Sequence, residues 1–191
     1  MPHHTDIRTA WIEAGYDRFA KAGPEGLKVE RLAQIVGKSK SSFYHLFADL
    51  EIFSTFLLDY HRQQAGIMIG REAVCTRRDD FVQILTEHKT DLLFNRQLRI
   101  HREKPLFLKC FEEINRASVP AILPLWKQIT GIHDNSYLAE LVLRFSLDNF
   151  FLQISEKTLQ PDWLHQYLDS VSHLIRQFQQ AYDNSPLDGS V

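Results

Sequence analysis

Residues 29–47 read Val29-Glu30-Arg31-Leu32-Ala33-Gln34-Ile35-Val36-Gly37-Lys38-Ser39-Lys40-Ser41-Ser42-Phe43-Tyr44-His45-Leu46-Phe47. Val29, Leu32, Ala33 and Val36 recur at helical spacing, which predicts a short helix over 29–36 that buries them. Gly37 stands where a left-handed residue ends a helix. After Lys38-Ser39 the pattern predicts another helix to about residue 46, with Phe43 and Leu46 turned inward. Two short helices joined only by Gly37-Lys38-Ser39 have the connection length of a helix-turn-helix. In such a motif the second helix stands in the major groove and its first residues meet base edges. The side chains left outward are Lys38, Ser39, Lys40, Ser41, Ser42, Tyr44 and His45. All can donate hydrogen bonds, as contacts to phosphates and base edges require.

The flanking residues complete a small helical unit. Ile7, Trp11, Ala14 and Phe19 predict a first helix over residues 6–22, which Gly23-Pro24-Glu25-Gly26 stops. Asp49 is placed to cap a fourth helix over about 50–64, carrying Ile52, Phe53, Phe56, Leu57 and Tyr60. Within residues 28–47, Lys28, Arg31, Lys38 and Lys40 face only Glu30, a local charge of +3, whereas residues 135–191 carry −4. One end can approach phosphates that the other would repel.

The whole chain has 191 residues and a net charge of −2, with 44% hydrophobic and 24% charged residues. These values exclude a disordered or collagen-like polymer. No apolar run approaches the roughly 18 residues of a membrane span. The first residues lack the charged-then-apolar order of a signal peptide. Cys75 and Cys110 are too few for a disulfide framework, so a cytoplasmic location and no membrane partner are expected.

The ordered residues Phe19-Ala20-Lys21-Ala22-Gly23, then 29–37, then 39–47, resemble the N-terminal pattern of the tetracycline-repressor (TetR) family of bacterial regulators. The resemblance covers residues 6–60, about a third of the chain. It implies an all-α fold: a three-helix helix-turn-helix DNA-binding domain over 1–50 and a connecting fourth helix over about 50–64. A helical effector-binding and dimerisation domain over 65–183 follows, then a flexible tail over 184–191. It implies a homodimeric regulator of double-stranded operator DNA, a repressor or activator whose C-terminal domain binds a small-molecule effector, with release of a repressor from its operator by a small apolar or aromatic effector as the leading expectation. Residue by residue, it points Lys40, Ser41 and Ser42 at the groove and Tyr44 and His45 at phosphates. The sequence departs from the family at Lys28, where a threonine cap is usual, at Val36, usually alanine, and at Leu50, where a phosphate-contacting lysine is common. Lys28 can supply a replacement charge.

Beyond residue 66 longer helices are predicted: one from Asp79-Asp80 through Leu93, one from Pro105, a short piece broken by Pro120 and Pro124, then 136–155 and 162–182. The stretch is aromatic enough to enclose a cavity for an apolar or aromatic ligand. Phe94, Phe107, Phe111, Asn149 and Gln153 are the expected effector pocket, although aromatics at helical spacing equally make plain core. Asn149 is either a ligand anchor or a polar residue at an interface. The last two helices are apolar over more of their circumference than one contact needs, which points to a homodimer through Leu141, Phe145, Leu164, Leu168, Val171 and Ile175.

No catalytic or metal site is expected. The nine histidines form no His-x-x-x-His pair and no finger spacing, and there is no phosphate loop or nucleophile elbow. Asp162, His165, Asp169 and His173 share one helical face, where a single stripe brings at most two ligands together. No cofactor is expected. Two alternatives stay open: a protein of the same fold that has lost operator binding and acts as a protein-interaction module, and, more weakly, a helical enzyme or haem-type carrier.

Overall fold

The computed structural model describes residues 4–183, with the side chains of 7–180. The expected tail over 184–191 lies outside the described residues. Among those residues there are nine α-helices and no strand: α1 His4–Ala22, α2 Val29–Val36, α3 Lys40–Phe47, α4 Leu50–Val74, α5 Arg78–Glu87, α6 Lys89–Ile100, α7 Pro105–Thr130, α8 Ser136–Gln153 and α9 Pro161–Asp183. A 3-10 turn over Pro24–Gly26 follows α1.

Four of the expected helices differ from the sequence reading. α4 does not end near residue 64 but runs to Val74. Gly66 and Gly70 lie on its exposed face, while Ala65 and Met68 are buried on the other. Burial outweighs the roughly 1 kcal/mol that each exposed glycine costs relative to alanine. α7 likewise continues through Pro120 and Pro124. Both prolines are exposed and four residues apart, so the carbonyls they leave unbonded face water. The helix expected from Asp79 through Leu93 is instead two, α5 and α6, parted at His88, whose ring bonds Asp91 Oδ2 at 2.7 Å.

The chain forms two compact units. The first holds the described residues up to Arg71 together with His88–Ser118. Here α6, assigned by sequence to the effector-binding part, lies along α1. Phe94 of α6 is fully buried, stacked on Tyr16 and Phe19 of α1 with centroids 4.4 and 4.3 Å away. Gly15 lets α4 approach α1, because a methyl group there would collide with the Phe53 ring. Trp11, Phe43, Phe47 and Phe53 close the core in edge-on and tilted pairs.

The second unit holds Glu72–Glu87 and the described residues from Val119 onward. Phe81, Leu85, Trp126, Leu143, Phe151, Leu164 and Leu168 are among its buried residues. Arg78 of α5 pins α9, donating to Asp169 Oδ1 at 2.6 Å and to the His165 carbonyl. α8 stops at Gln153, short of the expected 155, because Ser155 and Thr158 cap each other's backbone amides.

Candidate nucleic-acid interface

The geometry of residues 28–50 follows from local chemistry. Lys28 precedes α2 in an extended conformation and its side chain makes no cap bond. Gly37 adopts φ 68°, and the amides of Gly37 and Lys38 both return to the Ala33 carbonyl. A methyl group at Gly37 would meet nothing, so glycine is needed there for backbone conformation alone. Ser39 caps α3, its Oγ accepting from the Ser42 amide at 3.3 Å. Ser39 thus spends one of its two lone pairs on the helix and keeps its hydroxyl hydrogen for a partner.

Phe43 and Phe47 are buried and fasten α3 to its support: Phe43 meets Trp11 of α1 and Phe53 of α4, with centroids 5.3 and 5.1 Å away. That anchoring turns the opposite face outward. Lys38, Ser39, Lys40, Ser41, Tyr44 and His45 are exposed, as is Lys28, while Ser42 is half-buried. Leu46, expected inward, and Val36 are likewise only half-buried. Tyr44 is 52% exposed and edge-on to Phe43 at 5.5 Å, so its ring rests on the small core while its hydroxyl projects. All eight expected contact residues therefore lie on one short stretch, seven of them exposed. Leu50 opens α4 without charge; its carbonyl accepts from the Ser54 hydroxyl. Asp49 caps α4 as expected, accepting from the Ile52 amide at 2.8 Å.

Two features here have no counterpart in the sequence reading. Lys40 Nζ lies 3.0 Å from Glu30 Oε1, an ion pair between α2 and α3. No local spacing announces it, since the partners are ten residues apart across a turn. Ala48, between α3 and α4, has φ 60° and ψ −57°, and the Asp49 amide bonds the Phe47 carbonyl across it. That is a tight γ-turn, a strained conformation for a residue with a Cβ.

Three solved structures align with nearly the whole chain. A Mesorhizobium loti protein assigned to the TetR family of transcriptional regulators is 15% identical, covering 93% of this chain and 98% of its own, with a TM-score of 0.60. A TetR-like transcriptional regulator from a Rhodococcus species is 10% identical, covering 91% and 97%, with a TM-score of 0.66. A transcriptional regulator from the same genus is 18% identical, covering 90% and 96%, with a TM-score of 0.57. The chain has the TetR fold. At these identities the likeness is one of fold. No protein-family model matches the chain, and none of the curated proteins does.

On this TetR fold the expected effector residues divide between the two units. Phe94 and Phe107 are buried against Phe19, and Phe111 is half-buried beneath the Arg99 guanidinium. Asn149 and Gln153 are exposed on α8 and hydrogen-bonded to each other. They border an open groove of about 320 Å³ that Trp163, Tyr167 and Leu174 of α9 also line.

The expected interface residues also divide. Leu141 and Phe145 are exposed on α8, and Val171 is half-buried on α9. Leu164, Leu168 and Ile175 instead point into their own unit and are buried, so they are core and not surface. α9 carries two apolar stripes: Leu174 and Phe178 face outward, and the half-buried Val171 packs against the Ile132, Ala139 and Ile175 cluster. Among the described residues no three ligand-type side chains converge on a metal position. Asp169 pairs with Arg78, and His165 lies 3.9 Å from Asp79. No helix among the described residues is long and apolar enough to cross a membrane.

Proposed function

We propose that the chain is a cytoplasmic transcriptional regulator of the TetR type that binds double-stranded operator DNA through α3 and represses. The observation that carries this reading is the exposed donor face of α3, held outward by Phe43 and Phe47 behind a Gly37 turn. Lys38, Ser41 and Ser42 meet the groove, Lys40 enters it at its rim and reaches a bordering phosphate, and Lys28, Tyr44 and His45 meet further phosphates. Residues 1–50 form the reading head.

The functional unit is a homodimer. Leu141 and Phe145 on α8, with Leu174 and Phe178 on α9 and the exposed part of Val171, supply an outward apolar surface that a second copy can cover. Two recognition helices so paired must stand about 34–36 Å apart to enter successive major grooves. A small apolar or aromatic effector, taken up within residues 65–183, releases DNA by favouring the wrong separation. A 100-fold release requires roughly 2.7 kcal/mol of differential binding. The packing of α6 on α1 supports the coupling, because it joins the expected effector region directly to a helix of the reading head.

Electrophoretic retardation of duplex DNA from upstream of the chain's own gene tests this. Sequence-specific retardation at sub-micromolar protein, weakened by Tyr44→Phe, is the expected result. Leu50, uncharged at the head of α4, favours the second reading, a protein-interaction module on the same fold. Absence of retardation at any salt concentration would select it.

A further inference from the structure

Glu30 is the sole acidic residue in the segment 28–47. Its carboxylate meets the ammonium of Lys40, the first residue of α3, at 3.0 Å. Both side chains are more than half exposed, so the pair stands in solvent at the mouth of the reading face. The Glu30 carboxyl is held below its usual range by its own backbone amide first, then by the Lys40 hydrogen bond and charge, with Lys28 adding a further cation. Lys28 and Lys38, the other lysines of the segment, make no ion pair among the described residues. Lys40 alone among these lysines is already occupied by an anion before DNA arrives.

We propose that Glu30 acts as an internal stand-in for a DNA phosphate, an affinity-setting residue that holds Lys40 and must be displaced when α3 enters the groove. This rests on the DNA-binding reading above. A carboxylate and a phosphodiester both offer anionic oxygens to the same ammonium. Binding is therefore an exchange, in which Lys40 leaves Glu30 and takes a phosphate oxygen, while the freed carboxylate is left facing the polyanion. The net gain is smaller than an unpaired lysine would bring. An exposed ion pair is weak enough to open readily, so Glu30 lowers affinity without locking the face shut.

The full-length chain, Glu30→Gln, Lys40→Gln and the double variant are compared for binding to the upstream duplex and to a random-sequence duplex from 50 to 200 mM salt. Thermal melts confirm that each is folded. Glu30→Gln is expected to tighten binding about threefold per reading head on both duplexes. It should also steepen the dependence of log affinity on log salt by about one unit per head. Lys40→Gln weakens binding, and in that background Glu30→Gln brings no gain, because its effect runs through Lys40. An equal gain in the Lys40→Gln background would overturn the proposal, showing only a general field. A loss on Glu30→Gln would overturn it too, showing that Glu30 positions Lys40 for contact. If neither the parent chain nor any variant retards DNA, the DNA-binding reading itself fails and this proposal with it.

Discussion

Tyr16 of α1 donates its hydroxyl hydrogen to Asp91 Oδ1 of α6 at 2.6 Å. The same oxygen lies 2.7 Å from His61 Nδ1 of α4, so with its one hydrogen spent it accepts from that nitrogen. His61 is fully buried and burial pushes its imidazole down to about 3, so the ring is neutral, with hydrogen on Nδ1 and a lone pair on Nε2. Asp91 Oδ2 takes a further bond from His88 Nδ1, and Arg71 reaches His88 from the other side. One tyrosine hydroxyl thereby ties three helices of the first unit through a mostly buried polar chain.

Tyr16→Phe removes that hydroxyl and leaves the His61 Nδ1–H and Asp91 short of a partner. The expected loss is about 2–3 kcal/mol, from one bond to a charged group and one buried donor left unpaired. For a chain of this length the thermal midpoint falls by roughly 5–10 °C. Thermal unfolding of the two proteins checks it, and an unchanged midpoint would show that the chain contributes nothing to stability.

Glu72 is buried, and burial pushes its carboxyl up to about 8 from an ordinary 4.5. Its folded form holds the proton more tightly than the unfolded chain. Its contribution is therefore complete below 4.5 and is lost as pH rises through 8. His61 runs oppositely: its contribution is complete above 6.5 and is lost as pH falls toward 3. Each limb changes by at most about 1.4 kcal/mol per pH unit. Glu72→Gln should be close to the parent in stability near pH 5 and clearly more stable near pH 8. Denaturant titrations at the two pH values measure the difference; a gap that does not widen with pH would contradict the assignment.

Ala48→Gly relieves the positive-φ turn between α3 and α4. The strain removed is about 1–3 kcal/mol, and the added freedom of the unfolded chain costs about 0.4–1 kcal/mol. The variant should melt higher than the parent, and Ala48→Val, which adds a branched side chain at the same φ, should melt lower. Calorimetry of the three proteins decides it.

The two faces of α9 predict opposite outcomes. Phe178→Glu, like Phe145→Glu on α8, places charge on the outward surface and should yield monomers in sedimentation at micromolar concentration with little loss of helix. Leu168→Ala, on the inward stripe, should cost about 2–5 kcal/mol of stability and leave the protein's state of assembly as it was. Dimers persisting in both glutamate variants would move the interface elsewhere.

Residues 29–50 were legible from sequence because their determinants are local. Helical spacing, a left-handed glycine and an aspartate cap each act over a few residues, and the structure realises the helices, the Gly37 turn and the Asp49 cap, while Val36 and Leu46 are only half-buried. The all-α architecture was legible for the same reason, since 3.6-residue periodicity is a property of each segment alone. The length of α4 and the continuity of α7 were not, because glycine and proline break helices only where the backbone they expose cannot be satisfied. Which face of a helix is exposed is set by its neighbours. Likewise Leu174 and Phe178 cannot be told from Leu164, Leu168 and Ile175 by spacing, as both stripes repeat every three or four residues; packing against the remainder of the unit decides which turns inward. The Glu30–Lys40 pair and the Tyr16–His61–Asp91 chain join residues 10 to 75 positions apart, and only the folded chain brings their charges and hydrogen-bonding groups within reach.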